Sequence, residues 1–569
     1  MKNISILFIA IFMLSAVSCS IDENIIDTPN PKSIKTENDV NAVIRGLYAR
    51  FNDASSFKFR GWVMLSLAAD DLYSPSAAEF GPFAKRTFTN VDVEPFYESL
   101  FLTVGAVNDL LKVLDGLDLK PQFMDRAYGE AYFIRAFCYY YLVRLYGGVP
   151  LRTEATTAES ELYLKRASME EVYRQIFSDF QTASALLPLN SNIPANELGR
   201  ASKGAAQAIL SQAYLTYGNQ MSLKGQSPDV YYEKAVLYAD SVINSNQYTL
   251  LNNYADIFNV SKETDAYKEV IFGIRFQVDM QQSLVASAGS EFAYRCGVGN
   301  THFVSGNAPY GTGTGDVRPM HWFADVYRRN ALDYANGDGT VIDYRNEVAF
   351  MQRGYQSVQN RYYITYPNIP VTTEGTIPSP LIGKYIDPNG RDARNHGNDF
   401  FIIRFAEVYL IKAEALNELY GPTQALAAFN KVRERARKAN GVSRTVPQDI
   451  NATTRPGVVA DKSLFRLRIF HERGLELLGE GQRWFDLVRM QHPTNPTKTM
   501  YEYQLLEELI KTSYPKTFPG YNATTKTWSN RNAVYEPALN VSIPKFLLFP
   551  IPNKEITRNP SFGNQNPDW

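Results

Sequence analysis

The sequence predicts a mostly α protein, built of tetratricopeptide-type helix pairs packed against a loop-rich, irregular region. Three observations carry this. Apolar residues recur at helical spacing over long stretches that have clear start and stop signals. One helix pair carries the large–small–large residue pattern of a tetratricopeptide unit. Between the helical blocks lie two long stretches rich in Gly, Ser, Thr, Asn and Pro, which read as irregular loops.

The N-terminus is not part of the fold. An apolar run from Ile4 to Val17, headed by Lys2 and followed by small residues, describes a secretory signal over 1–18. Cleavage after Ala16-Val17-Ser18 leaves Cys19 either as an ordinary N-terminal thiol or as an acylated lipoprotein residue; the lone Cys at the cut favours lipidation. Residues 19–36 then form a polar, Pro-punctuated tether, whose 17 residues from Ser20 to Thr36 reach about 58 Å when extended.

The folded part divides into a helical stretch, 37–250, and a second stretch, 251–569, that carries the loop-rich region and packs with the first as one unit. Val40, Val43, Ile44, Leu47, Tyr48 and Phe51 fall on one helical stripe, with Asp39 as its cap. Longer helices follow over Phe96–Leu117 and Asp125–Tyr146, the second stopped by Gly147-Gly148 with Pro150 beyond. Further helices are predicted at Met169–Leu187, Lys203–Tyr217, Tyr231–Ile243, Ile402–Leu419, Thr423–Ala439 and Leu464–Arg489. In the 402–439 pair, Tyr409, Ala413 and Leu416 occupy the first-helix repeat positions. Ala425, Phe429 and Val432 occupy those of the second, with Gly421-Pro422 as the turn. Phe276–Pro319, with GTGTG at Gly311–Gly315, and Tyr355–Asp399 are the loop stretches.

Composition narrows the function. Fifty-eight Lys+Arg against 59 Asp+Glu leave a net charge of -1, without the basic clusters that nucleic acid requires. Aromatic residues reach 13%, which suits half-buried amphipathic surface. Local catalytic signatures are missing. His471-Glu472 continues as Arg473-Gly474-Leu475 and is no H-E-x-x-H; no G-x-S-x-G occurs; and GTGTGD at 311–316 lacks the last Gly of a dinucleotide fingerprint. Five scattered His residues and two non-paired cysteines, Cys138 and Cys296, suggest neither a metal centre nor a cofactor. Arg404, Glu407, Glu414, Glu472, Arg473, Glu480, Arg483 and Asp486 read better as ion pairs between repeats than as an acid–base cluster, and Trp484 as core.

Six segments in order give the chain a family resemblance. These are GLYARF at Gly46–Phe51, EAYFIRAFCYYYLVRLYGGVPL at Glu130–Leu151, GRASKGAAQAILSQAYL at Gly199–Leu215, IRFAEVYLIKAEALN at Ile403–Asn417, ERGLELLGEGQRWFDLVRM at Glu472–Met490, and LFPIPNKEITRNPSFGNQNPDW at Leu548–Trp569. Together with Cys19 and the acidic Asp22-Glu23 after it, they resemble the SusD/RagB family of outer-membrane nutrient-binding lipoproteins of the Bacteroidetes. The resemblance implies a surface-exposed protein, lipid-anchored in the outer membrane. It further implies non-catalytic binding of an oligosaccharide or polysaccharide and delivery to a SusC-like TonB-dependent transporter. Alternatives within the resemblance are a peptide-binding, RagB-like member and a structural lid on the transporter; outside it stands a surface glycosidase. The family's ligand residues vary with the ligand, so site residues are assigned by region. Trp62 and Trp322 suit either a stacking platform or a core position. Tyr73 and Phe83 flank a Pro/Ser/Gly-rich segment, and Tyr294, His302, Phe303 and Tyr310 lie within the loop stretch.

Overall fold

The computed structural model describes residues 33–569, apart from 75–79, 159–162, 278–288, 298–300, 306–307, 311–313, 325–342, 357–360, 366–374, 378, 388–394, 440, 509–518 and 531–541. Cys19 and the tether up to residue 32 lie outside the described residues. Among the described residues no helix is long and apolar enough to cross a membrane.

The first helix, α1 (Glu37–Ala49), is capped by Thr36 rather than by Asp39. The Asp39 amide donates to the Thr36 hydroxyl at 3.3 Å, and the Asp39 carboxylate accepts from the Thr36 amide at 2.9 Å. The same reciprocal box, Thr89 with Asp92, starts α3 (Asn90–Leu114) six residues before the predicted start, so Pro95 lies inside the helix. Between them sits the short α2 (Arg60–Leu67). Helix α4 (Pro121–Tyr146) ends where predicted, because Gly147 takes a left-handed φ of +75°. Helices α5 (Met169–Leu186), α6 (Lys203–Leu223) and α7 (Asp229–Ile243) complete the first array, each packed on the one before.

The array then jumps. Helix α7 packs directly on a helix spanning Phe405–Tyr420, although 161 residues, 244–404, separate them in sequence. That helix pairs with the next, Pro422–Ala436, across Gly421 at φ +87°. Ala413, Ala425, Phe429 and Val432 are fully buried, and Tyr409 and Leu416 half-buried, as the repeat pattern requires. The predicted helix over Leu464–Arg489 is in fact two, Lys462–Leu477 and Arg483–Arg489. Gly479 and Gly481 adopt φ of +77° and +73° between them, a region that breaks any helix.

The insertion is more ordered than its composition suggests. Strands β2 (Val270–Ile274) and β9 (Phe400–Arg404) form an antiparallel pair with every residue buried, at the root of the insertion. The predicted loop stretches contain a short helix, α8 (Phe292–Cys296), and a five-stranded sheet. Its strands are β3 (Thr301–Ser305), β4 (Ala308–Tyr310), β6 (Arg353–Gln356), β7 (Arg361–Thr365) and β8 (Gly375–Ile377), in the order β4-β3-β6-β7-β8. The helices after it are α9 (Phe405–Tyr420), α10 (Pro422–Ala436), α11 (Lys462–Leu477) and α12 (Arg483–Arg489).

The charged residues of these helices are ion pairs. Arg404 holds Glu480 at 2.7 Å and Glu269 at 2.9 Å, and Arg473 bridges Glu407 and Asp486, each at 2.8 Å. Arg483 forks onto Asp70 at 2.7 and 2.9 Å, and Arg489 joins Glu414 to Asp486. Arg345, Arg433 and Arg435 close on Glu472, Glu476 and Glu269. Burial pushes the Glu476 carboxyl up, but Arg435, Arg404 and Arg345 outweigh it and hold it at about 2. Trp484 is core, tilted against Phe549 at 5.0 Å. The C-terminal segment is structural as well: Asn566 donates to the last carbonyl of α4, Tyr146, at 3.0 Å, and Gln565 brackets the Ile551 backbone.

Candidate functional site

Half-buried polar side chains gather at one of the places where the loop-rich insertion is pinned to the scaffold. The backbone of 314–317 runs along α8: the Thr314 amide donates to the Tyr294 carbonyl at 2.8 Å and the Val317 amide to that of Arg295 at 3.0 Å. It continues into β5 (Arg318–Pro319), which pairs antiparallel with β1 (Leu72–Tyr73) in the register Tyr73↔Arg318. The Met320 amide then donates to the Asp71 carbonyl at 2.7 Å. On the other side of α8, Ala293 packs with Met351, Leu381 and Tyr363, tying the helix to the mixed sheet.

Tyr294, Thr314, Asp316, Arg318 and His321 are each half-buried on this frame. The Asp316 carboxylate accepts from the Thr314 hydroxyl at 2.6 Å and from Arg295 at 2.9 Å. Arg318 donates to the Gly315 carbonyl at 3.0 Å and reaches the Ser379 hydroxyl at 3.5 Å, which also meets the Tyr73 hydroxyl at 3.1 Å. Gly315 has φ +65°, and a Cβ there would come within 2.8 Å of the Arg318 guanidinium. The last glycine of the GTGTG run therefore lets Arg318 fold back over the turn.

Beneath these groups lies Asp71, a buried carboxyl whose Oδ1 finds no hydrogen-bond partner among the described residues. Burial, reinforced by the neighbouring Asp70, pushes its pKa up to about 7 against the pull of Arg483. The surface above thus carries the half-buried Tyr294 ring, donors on Arg318 and Thr314, and acceptors on Asp316 and Thr314. Such a set can stack on the C–H face of a sugar and hydrogen-bond its hydroxyls. The carboxylates of Glu291 and Asp316 both bond to Arg295, which suits holding the frame.

Four of the sequence-assigned platforms belong to the core instead. Trp62 is 0% exposed, its indole N–H donates to the Gly479 carbonyl at 2.9 Å, and its ring packs on Phe292 and Tyr385. Trp322 is 4% exposed and donates to the Asp70 carbonyl at 2.9 Å. Tyr73 is 1% exposed, though its ring stacks on that of half-buried His321 at 6.5 Å. Phe83, also 1% exposed, stacks on Phe88 in the cluster that seals the C-terminal segment. In each case burial against a partner consumes the ring or its polar handle, so none is free to stack on a ligand. Tyr294 alone of the set has a described, half-buried side chain. His302 and Phe303 fall in β3 and Tyr310 in β4, with Phe303 opposite Tyr310, but their side chains lie outside the described residues. The sequence reading passed over Thr314, Asp316, Arg318 and His321. The available signal was their position at and just after the glycine run, where a turn must expose polar side chains.

The comparisons with known proteins agree with this architecture. Residues 268–569 match the family model described as the SusD family, and residues 23–215 match one described as "Starch-binding associating with outer membrane". SusD-like protein P2 of Formosa agariphila is 28% identical over 588 aligned positions, covering all of both chains. A SusD-like protein of Bacteroides ovatus is 25% identical, over 74% of this chain and 69% of its own. A solved SusD homolog from Bacteroides thetaiotaomicron superposes with a TM-score of 0.75 at 20% identity, over 94% of this chain and 98% of that one. A structure named as a laminarin-binding SusD-like protein gives 0.65 at 20% identity, over 94% and 100%.

Proposed function

The chain belongs to the SusD family, and from that premise we propose that it captures an oligosaccharide or polysaccharide at the cell surface without cleaving it. The bound glycan is handed to a SusC-like TonB-dependent transporter, and the protein is held at the outer membrane by lipid on Cys19. The observation that carries this reading is the half-buried Tyr294 beside Thr314, Asp316 and Arg318, on the face where the insertion is pinned to a rigid helical array. Covering about 70 Å² of a sugar's apolar face yields roughly 1.7 kcal/mol. A few such contacts, set against the cost of association, give a Kd in the approximate micromolar to millimolar range. Weak binding suits a protein that must release its ligand onward.

The test is a titration of the purified chain against a panel of soluble glycans, laminarin included, with a reducing-end assay on the same mixtures. Binding without new reducing ends supports capture. Tyr294→Ala should weaken that binding about tenfold, the worth of one stack. New reducing ends, or no binding to any glycan, would overturn the proposal.

A further inference from the structure

A second cavity lies away from the Tyr294 face, where the C-terminal end of α1 meets the outer side of β2. It has a volume of about 640 Å³, within the range of ordinary ligand sites. Its floor is apolar, made by Phe51 and Phe272, with half-buried Tyr48 as one wall. Asn52 and Asp53, in the turn after α1, line it together with Arg45 on the helix and Asn196 opposite.

The polar groups divide into two kinds. Those deeper in the cavity are already satisfied. Arg200 is held by Glu130 at 2.7 Å and Glu197 at 2.9 Å, Arg275 by Glu263 at 2.6 Å, and the Tyr48 hydroxyl accepts from the Ala201 amide at 2.9 Å. These interactions fix the wall, and Gly199, at φ +95°, leaves room for the Arg275 stem, which a Cβ there would meet at 2.5 Å. The rim groups retain bonding capacity. Asn52 spends its Nδ2 on the Arg275 carbonyl at 2.5 Å, which turns its Oδ1 into an acceptor with no partner among the described residues. Asp53 accepts only from the Ser55 amide at 2.8 Å, and neither Arg45 nor Asn196 has a side-chain partner among the described residues.

We propose that this cavity is a second carbohydrate site, which takes part of a neutral sugar chain. The class follows from the bonding pattern. Donors on Arg45 and Asn196 and acceptors on Asn52 and Asp53 line an apolar floor, and a ligand whose groups both donate and accept satisfies all four. Hydroxyls do so. The two charged rim groups that lack a salt-bridge partner among the described residues, Arg45 and Asp53, are of opposite sign, so together they add no net charge that would select an ionic ligand. The floor accepts the C–H face of a pyranose.

The site goes beyond the proposed capture reading and fails separately from it. The experiment uses the full mature chain and a set of linear neutral hexasaccharides, β-1,3-glucan and α-1,4-glucan among them, with stoichiometry read by native mass spectrometry and affinity by calorimetry. Two ligands per wild-type chain are expected. Ala49→Trp, at an exposed position lining the cavity, should reduce this to one. Arg45→Ala with Asn196→Ala, both exposed and harmless to folding, should weaken the second site about tenfold. Tyr294→Ala should leave that site untouched. One ligand per wild-type chain, unaffected by Ala49→Trp and by the double variant, overturns the second site. A ligand lost with Ala49→Trp but indifferent to Tyr294→Ala and Arg318→Ala keeps the cavity and overturns the Tyr294 face.

Discussion

Replacing Trp62 by Ala separates a ligand platform from a core residue by two measurements. The side chain is wholly enclosed, packed at 5.1 Å on Phe292 and 5.8 Å on Tyr385, with its N–H on the Gly479 carbonyl. Burying about 200 Å² of ring at roughly 25 cal/mol per Å² is worth about 5 kcal/mol as an upper bound. Large-to-Ala changes in aromatic cores cost about 3–5 kcal/mol once partial collapse is included. The Gly479 carbonyl keeps the Tyr385 hydroxyl at 2.7 Å as a second donor, so no orphaned acceptor adds to the loss. We therefore expect about 4 kcal/mol, read as a lower urea midpoint with little change in slope. Glycan titration at low temperature, where the variant is folded, should match the wild type. Lost binding with an unchanged midpoint would refute the burial argument and return Trp62 to the ligand surface.

The other predictions concern packing, charge and anchoring. Ala413→Leu should overpack the α9–α10 hairpin and cost about 1–3 kcal/mol without changing glycan affinity, so an unmoved melting temperature would show that Ala413 is not at a close helix contact. Asp71 titrates at about 7 when folded against an ordinary 3.8, so the folded state holds the extra proton and stability falls as pH rises between those values. Asp71→Asn should flatten that decline in a pH series of urea midpoints; a parallel curve would refute the assignment. Cys19→Ala should release the protein from the membrane or stall its processing, because several acyl chains anchor where a single chain is only marginal. Fatty-acid labelling that marks wild type and variant equally would defeat this.

The parts of the fold legible in the sequence were those that local physics decides. Helix α4 declared itself through an unbroken apolar pattern closed by Gly147, and the α9–α10 pair through Ala413 and Ala425 at repeat spacing. The break at 478–482 was hidden, because Leu477-Leu478 and Trp484-Phe485 continue an apolar pattern across two glycines whose left-handed backbone only the fold reveals. The sheet within the insertion was hidden for a different reason: its strands are three to five residues long, in polar, Gly-rich sequence, and owe their form to pairing between distant segments. The site was least legible. Whether an aromatic is exposed depends on partners such as Gly479 for Trp62, 417 residues away, which no local pattern records.

The ion pairs explain how a loop-rich insertion can present a fixed surface. Lys384 and Arg345 of the insertion join Glu472, Glu476 and Glu480 of the α11 region, and Arg404, Arg433 and Arg435 complete the charge balance with Asp343 and Glu269. Apolar residues of similar volume would stabilise such a contact as well or better, since desolvation consumes most of the Coulomb gain. What an apolar contact lacks is direction. A guanidinium fork fixes both distance and rotation, and the insertion has little periodic apolar surface to set its own orientation. The link to the ligand face is short. Within one seven-residue segment, Ser379 holds Tyr73 and Arg318 at the face, Lys384 bonds Glu480 at 2.6 Å, and Tyr385 donates to Gly479. Two residues past that turn, Arg483 grips Asp70, whose carbonyl holds Trp322 beneath the same face. The turn at 479–481 thus serves both sides: it ends α11 for the scaffold and supplies the fixed points from which Arg318 and Tyr294 take their positions.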